Sequence, residues 1–129
     1  MKMVKAAALQ IPTCDDKMKN IRTVGQYLEK AAPQEPDFVI LPEMFNCPYQ
    51  TEKFPLYAEK EEGESYQAMS AYAKEYGIYL IAGSMPEADE KGRIYNTSYV
   101  FDRQGKKIAK HRKVHLFDIS ISGGQSFRE

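Results

Sequence analysis

A chain of 129 residues is long enough for one domain with a sizeable core, and 43% hydrophobic with 28% charged residues is a globular composition that excludes disorder. Eighteen basic side chains balance eighteen acidic ones, so no net field draws the chain to nucleic acid or to an acidic membrane. Two cysteines, with no secretory leader or membrane-length apolar run at the start, predict free thiols and a cytoplasmic location.

Residues 3–11 are largely apolar, carry one lysine and stop at Pro12, which predicts a buried strand. Thr13 and Asp16 have the spacing of a capping box, and Met18, Ile21, Val24, Leu28 and Ala31 follow at helical spacing. The pattern predicts an amphipathic helix over 15–32, weakened at Gly25 by about 1 kcal/mol relative to alanine. A second strand is expected over 37–41, which makes the opening a βα unit returning to one sheet.

Residues 44–63 have no period and contain Pro48, Pro55 and Gly63, so they read as a long loop of the functional or mobile kind. Met69, Tyr72, Ala73 and Tyr76 mark a helix over 64–76 with Gly77 as its C′ residue. "IYLIAGSM" reads as a strand and "EADEKGR" as a polar hairpin connection. "IYNTSYVFD" is a strand in which Tyr95, Thr97, Tyr99 and Phe101 alternate with smaller residues, and "KKIAK" is a short edge strand. The tail keeps apolar residues, the Gly123–Gly124 pair and Phe127 up to its end, unlike the close of a finished domain.

Glu43 follows the apolar run "FVILP", at the rim where open α/β sheets bind ligands. Enclosed by Met44 and Phe45, its carboxyl would lose solvation, which suits a general base; the plain alternative is a loop glutamate in water. Lys106, Lys107, Lys110, His111, Arg112 and Lys113 form a local basic cluster, read as a solvated edge strand first and a nucleic-acid patch second. Lys113 differs because Val114, Leu116 and Phe117 lead it toward the core, where a cation can neutralise an oxyanion. His111 and His115 lack the glutamate of a zinc motif, and Cys14 and Cys47 lie far apart, so no metal site is expected. Both cysteines read as buried or loop thiols.

"LPEMFNCPY" and, seventy positions on from Glu43, "HRKVHLFDI" with a later "GGQSFRE" resemble the nitrilase, or carbon–nitrogen hydrolase, superfamily, and within it the omega-amidase branch. The resemblance spans the chain but corresponds to roughly the first half of a family domain. It implies an α/β fold, the first part of an α-β-β-α sandwich with a mixed sheet and helices on one face. It implies a Glu–Lys–Cys triad with Glu43 as base, Lys113 as oxyanion-stabilising cation and Glu129 as the second glutamate. The nucleophilic cysteine belongs to a later motif absent from residues 1–129, and Cys47 stands where serine is common. No metal or organic cofactor is implied, the substrate is a small carboxylated amide, Tyr49 is a candidate for binding it, and the enzyme is expected to be a homo-oligomer. Ser120 and Ser122 stand where the branch commonly has Asp and Pro, which bears on substrate preference. A nitrile hydrolase, an N-carbamoyl amidase and a non-catalytic piece of the same fold remain the alternative readings.

Overall fold

The computed structural model describes residues 2–116, 118–121 and 125–128. Strand β1 (Ala6–Ala8) leads into helix α1 (Lys17–Ala31), a 3-10 turn at Ala32–Gln34 and strand β2 (Phe38–Ile40). A second 3-10 turn (Thr51–Lys53) and the one-turn helix α2 (Phe54–Tyr57) precede helix α3 (Glu64–Tyr76). Strands β3 (Tyr79–Ile81), β4 (Met85–Ala88), β5 (Ile94–Phe101) and β6 (Lys107–Arg112) complete a six-stranded mixed sheet. Strands β7 (Asp118–Ile121) and β8 (Gln125–Arg128) pair antiparallel as a separate ribbon.

β1, β2 and β3 run parallel, the arrangement that a strand–helix–strand crossover produces, and β5 adds antiparallel to β3. β4 and β3 share one side of β5: Leu80 and Ile81 face its C-terminal half, whereas Met85 to Ala88 face its N-terminal half. β6 lies along the other side of β5. Helices α1 and α3 pack on one face, where Val24, Leu28, Met69 and Ala73 meet Val39, Leu80, Tyr99 and Phe101 in a single core. Tyr66 caps that core with edge-on contacts to Tyr99 and Phe101.

The sequence pattern places these elements in order, with four local differences. The first strand is three residues long, because its parallel pairing to β2 spans only Ala6↔Phe38 to Ala8↔Ile40. The cap of α1 is Asp16, whose side chain accepts from Lys19 N at 2.9 Å, so the helix begins at Lys17 and Thr13 is not the cap. The segment "IYLIAGSM" is two strands, broken between Ile81 and Met85. Residues 44–63 are anchored: Asn46, fully buried, donates through Nδ2 to Ser65 Oγ (2.9 Å) and Glu59 Oε2 (3.3 Å), and Glu59 accepts from Ser65 N at the start of α3 (2.8 Å). Glu59 also pairs by backbone with β4, through Pro86 and Ala88. The tail's pairing into β7 and β8 is not signalled by the sequence pattern, and the Gly123–Gly124 pair and Ser122 lie outside the described residues.

The basic cluster is largely internal to the fold. Lys107 and Lys110 pair with Glu61, while Lys110 and Arg112 pair with Glu87 at 2.7 and 2.8 Å. Arg112 also lies 3.9 Å from the centre of the Tyr95 ring. Three of the cluster's lysine and arginine charges, those of Lys107, Lys110 and Arg112, are therefore spent on two carboxylates and a ring, and the patch reading for nucleic acid loses its free cations there.

Candidate active site

The break between β3 and β4 creates the site. Gly83 takes φ 41°, and a Cβ on it would overlap the carbonyl oxygen of Pro42, so only glycine lets the two chains approach this closely. Ser84 then grips the chain just after Glu43: its Oγ accepts from Met44 N and its carbonyl from Phe45 N, each at 3.1 Å. Met44 is held at φ 52°, which turns Met44 and Phe45 into the core and leaves Glu43 at the C-terminal rim of β2. The enclosure expected of Glu43 is not found among the described residues. Its neighbours are buried, but its own side chain is 47% exposed.

Lys113 arrives from the end of β6, where its backbone N donates to Asn96 O at 2.8 Å. Its Nζ reaches Glu43 Oε1 at 3.1 Å across seventy positions of sequence. The same oxygen accepts from Asn96 Nδ2 at 2.8 Å. Glu43, Lys113 and Asn96 line a cavity of about 300 Å³ together with Ile40, Ile81 and Ser98. A carboxylate and an ammonium held together beside such a space are equipped to move a proton and to steady negative charge on a bound group. His111 lines the cavity, but neither Cys14 nor Cys47 does.

Cys47 is fully buried beside Met44 and Phe54, and burial pushes its thiol up to about 12 despite the nearby Lys17, the opposite of an activated nucleophile. Cys14 sits ahead of α1, with its backbone N and O both bonded to the Asn20 side chain at 2.8 Å. Tyr49 is on the loop after Glu43, its ring edge-on to Phe54, and is not among the residues lining the cavity. Glu129 lies outside the described residues. Among the described residues, no three His, Cys, Asp or Glu side chains gather as a metal ion would need, and no helix is long and apolar enough to cross a membrane.

Sequence reasoning missed Asn96, Ser84 and Gly83. Gly83 carried a signal, since a glycine inside a strand pattern marks a bulge or a close backbone approach. Asn96 carried none: a polar residue at the opposite parity to the aromatic stripe of β5 is ordinary strand alternation, and only the fold shows that it is 6% exposed. Ser84 carried none, because its partners lie forty positions away.

The sequence profile of the family described as Carbon-nitrogen hydrolase matches residues 5–129. The chain belongs to the carbon–nitrogen hydrolase family. It is 44% identical to omega-amidase NIT3 of Saccharomyces cerevisiae over 98% of its own length and 46% of that protein. It is 46% identical to omega-amidase NIT2 of Mus musculus over 100% of its own length and 46% of that protein. Among solved structures it superposes on S. cerevisiae Nit3, of branch 10 of the nitrilase superfamily, with a TM-score of 0.82 at 39% identity, covering 88% of this chain and 45% of that one. The Caenorhabditis elegans NitFhit protein matches with the same TM-score, 0.82, at 25% identity, covering 98% of this chain and 32% of that one. The chain thus spans about half the length of the curated relatives it matches, and its fold is that of the first part of the nitrilase-type sandwich.

Proposed function

We propose that this carbon–nitrogen hydrolase chain contributes the base and the cation of an omega-amidase-like enzyme, one that converts a small carboxylated amide to acid and ammonia. The observation that carries the reading is the meeting of Glu43 and Lys113 at 3.1 Å beside a cavity at the sheet rim. The relatives named omega-amidase support the substrate class. The reading places residues 1–129 as the N-terminal portion of a single hydrolase domain in a cytoplasmic homo-oligomer, with the nucleophilic cysteine supplied by sequence beyond residue 129 and no cofactor.

In this reading Glu43 takes the thiol proton, and the thiolate attacks the amide carbon. Lys113 and a backbone N–H hold the oxyanion. Glu43 returns the proton to the departing nitrogen, ammonia leaves, and a thioester remains. Water, deprotonated by Glu43, then attacks the thioester, and the acid and the thiolate are released. Glu129 would help to position the substrate. The distant carboxylate of the substrate needs its own polar anchor, for which Tyr49 is the candidate in this chain. A site that loses a buried hydrogen-bond partner for that carboxylate would discriminate strongly.

The test uses the full-length protein and a panel: the omega-amide of a short dicarboxylic acid, its uncharged ester, a nitrile and an N-carbamoyl amine. The omega-amide should lead in kcat/KM, and Glu43→Gln should cut kcat by roughly 10²–10⁴-fold with binding largely kept. Undiminished kcat in Glu43→Gln would remove the base assignment. A lead by the nitrile or the carbamoyl compound would move the enzyme to another branch with the same triad. Residues 1–129 expressed alone should turn over no amide, and turnover abolished by Cys47→Ser would overturn that expectation.

A further inference from the structure

We infer that Asn96 is a positioning residue that divides the work of the Glu43 carboxylate, fixing Oε1 and leaving Oε2 to carry the proton. The inference rests on the reading of Glu43 as the base. Its own ground is a pair of bonds that Asn96 makes among the described residues. The side-chain amide donates to Glu43 Oε1 at 2.8 Å, and the backbone carbonyl of the same residue accepts from Lys113 N at 2.8 Å. One strand residue therefore places both members of the charged pair. Lys113 Nζ joins the amide on Oε1 at 3.1 Å, and among the described residues no side chain donates to Oε2.

The chemistry follows from that asymmetry. An oxygen that already accepts an amide N–H and an ammonium N–H has its lone pairs committed, so an incoming proton goes to the other oxygen. Lysine alone cannot impose this, because an ammonium on a flexible stem rotates its three donors and follows the carboxylate wherever it turns. A planar amide on a paired strand is different. Asn96 is 6% exposed and in register with Pro86 of β4, so its donor direction is fixed by the sheet. The amide is also neutral, so it stabilises the carboxylate without competing for its proton. Among the described residues, the ionisable groups that line the cavity with Glu43 are Lys113 and His111.

Asparagine is specific to this role in two ways. Aspartate has its shape but would set a second carboxylate against Glu43, and alanine removes the donor while leaving the backbone bond to Lys113 in place. The experiment compares wild type, Asn96→Ala, Asn96→Asp and Glu43→Gln in the full-length protein, following kcat, KM and the pH profile of kcat/KM on the omega-amide. Asn96→Ala should lower kcat roughly ten- to hundredfold with KM within about threefold. Its acid limb should move to higher pH, because a carboxylate that has lost a donor holds its proton longer. Asn96→Asp, with a like charge in place of a donor, should move the limb further.

A merely structural asparagine would lower activity in step with thermal stability and leave the acid limb in place; that outcome overturns the inference. So does an Asn96→Ala enzyme with wild-type kcat and an unmoved limb while Glu43→Gln is inactive. If Glu43→Gln itself keeps its kcat, the base reading fails and this inference fails with it. If Asn96→Ala does not fold, the isosteric Asn96→Asp reads the same limb.

Discussion

Met44 sits at φ 52°, a left-handed conformation that costs a residue with a Cβ roughly 1–2 kcal/mol. Ser84, which accepts from Met44 N and from Phe45 N, and a fully packed side chain hold it there, next to the residue proposed as the base. The strain has a use: it lets one rigid turn send Met44 and Phe45 inward while Glu43 stays at the cavity. Glu87 shows the opposite economy, a carboxylate whose work is stability. Burial would raise it, but hydrogen bonds from Arg112, Lys110 and Thr97 outweigh burial and hold it at about 2 against an ordinary 4.5. The folded value is the lower one, so the contribution is complete above about pH 4.5 and is lost as pH falls toward 2. That displacement corresponds to on the order of 3 kcal/mol. Chemical denaturation at pH 7 and at pH 3 should show a steep loss of stability, and Glu87→Gln should be less stable at pH 7 with a shallower loss between them. An unchanged slope in Glu87→Gln would mean that the cluster does not set the acid response. Glu43 and Lys113 stood out in the sequence because they sit in short motifs; their partner Asn96 did not, because a lone polar residue in a strand has no motif around it.

At the scale of elements, the helices and long strands were legible because burial repeats along them. α3 is found at Glu64–Tyr76 with Gly77 closing it in the left-handed region, as the pattern gives it. The β3–β4 break was signalled only by Gly83 inside a strand pattern; its cause, the carbonyl of Pro42 just past β2, lies far off in sequence and was not legible. Gly25 belongs to the same class. Read alone it only weakens α1, but a Cβ there would stand 2.5 Å from Tyr72 Oη and 2.9 Å from its ring. That hydroxyl donates to Ile21 O at 3.3 Å, so the Tyr72 side chain packs against α1 beside Gly25. Gly25→Ala should therefore lower the melting temperature, although helix propensity by itself favours alanine by about 1 kcal/mol. In a Tyr72→Ala background the overlap is gone, and Gly25→Ala should turn neutral or stabilising. The double-mutant cycle should return a coupling of roughly 1–3 kcal/mol, and a higher melting temperature for Gly25→Ala alone would show that the close approach is not enforced.

At the scale of the whole molecule, the described residues finish the sheet on one face only. Ala7, Val39 and Leu80 point into the core beneath the helices, and the register therefore sends Ala8, Ile40, Ile81 and Val100 to the other side. None of those four belongs to the core cluster, and Ile40 is 39% exposed. The cavity that holds Glu43 and Lys113 opens on this same face, with Ile40 and Ile81 in its wall. Two-layer architectures bury both faces of such a sheet, and contiguous apolar surface left in water marks an interaction site or drives association. Residues 1–129 expressed alone should consequently self-associate, and sedimentation at rising concentration should show it, with a hydrophobic dye bound at low concentration. Ile40→Lys places a charge at the centre of the face and should shift the population toward monomer without unfolding it, since Ile40 takes no part in the core. A monodisperse wild-type monomer that melts cooperatively and binds no dye would contradict this reading. It would mean that the open face is covered within these 129 residues and that the cavity is closed off from the solvent side in a way the sheet register does not provide.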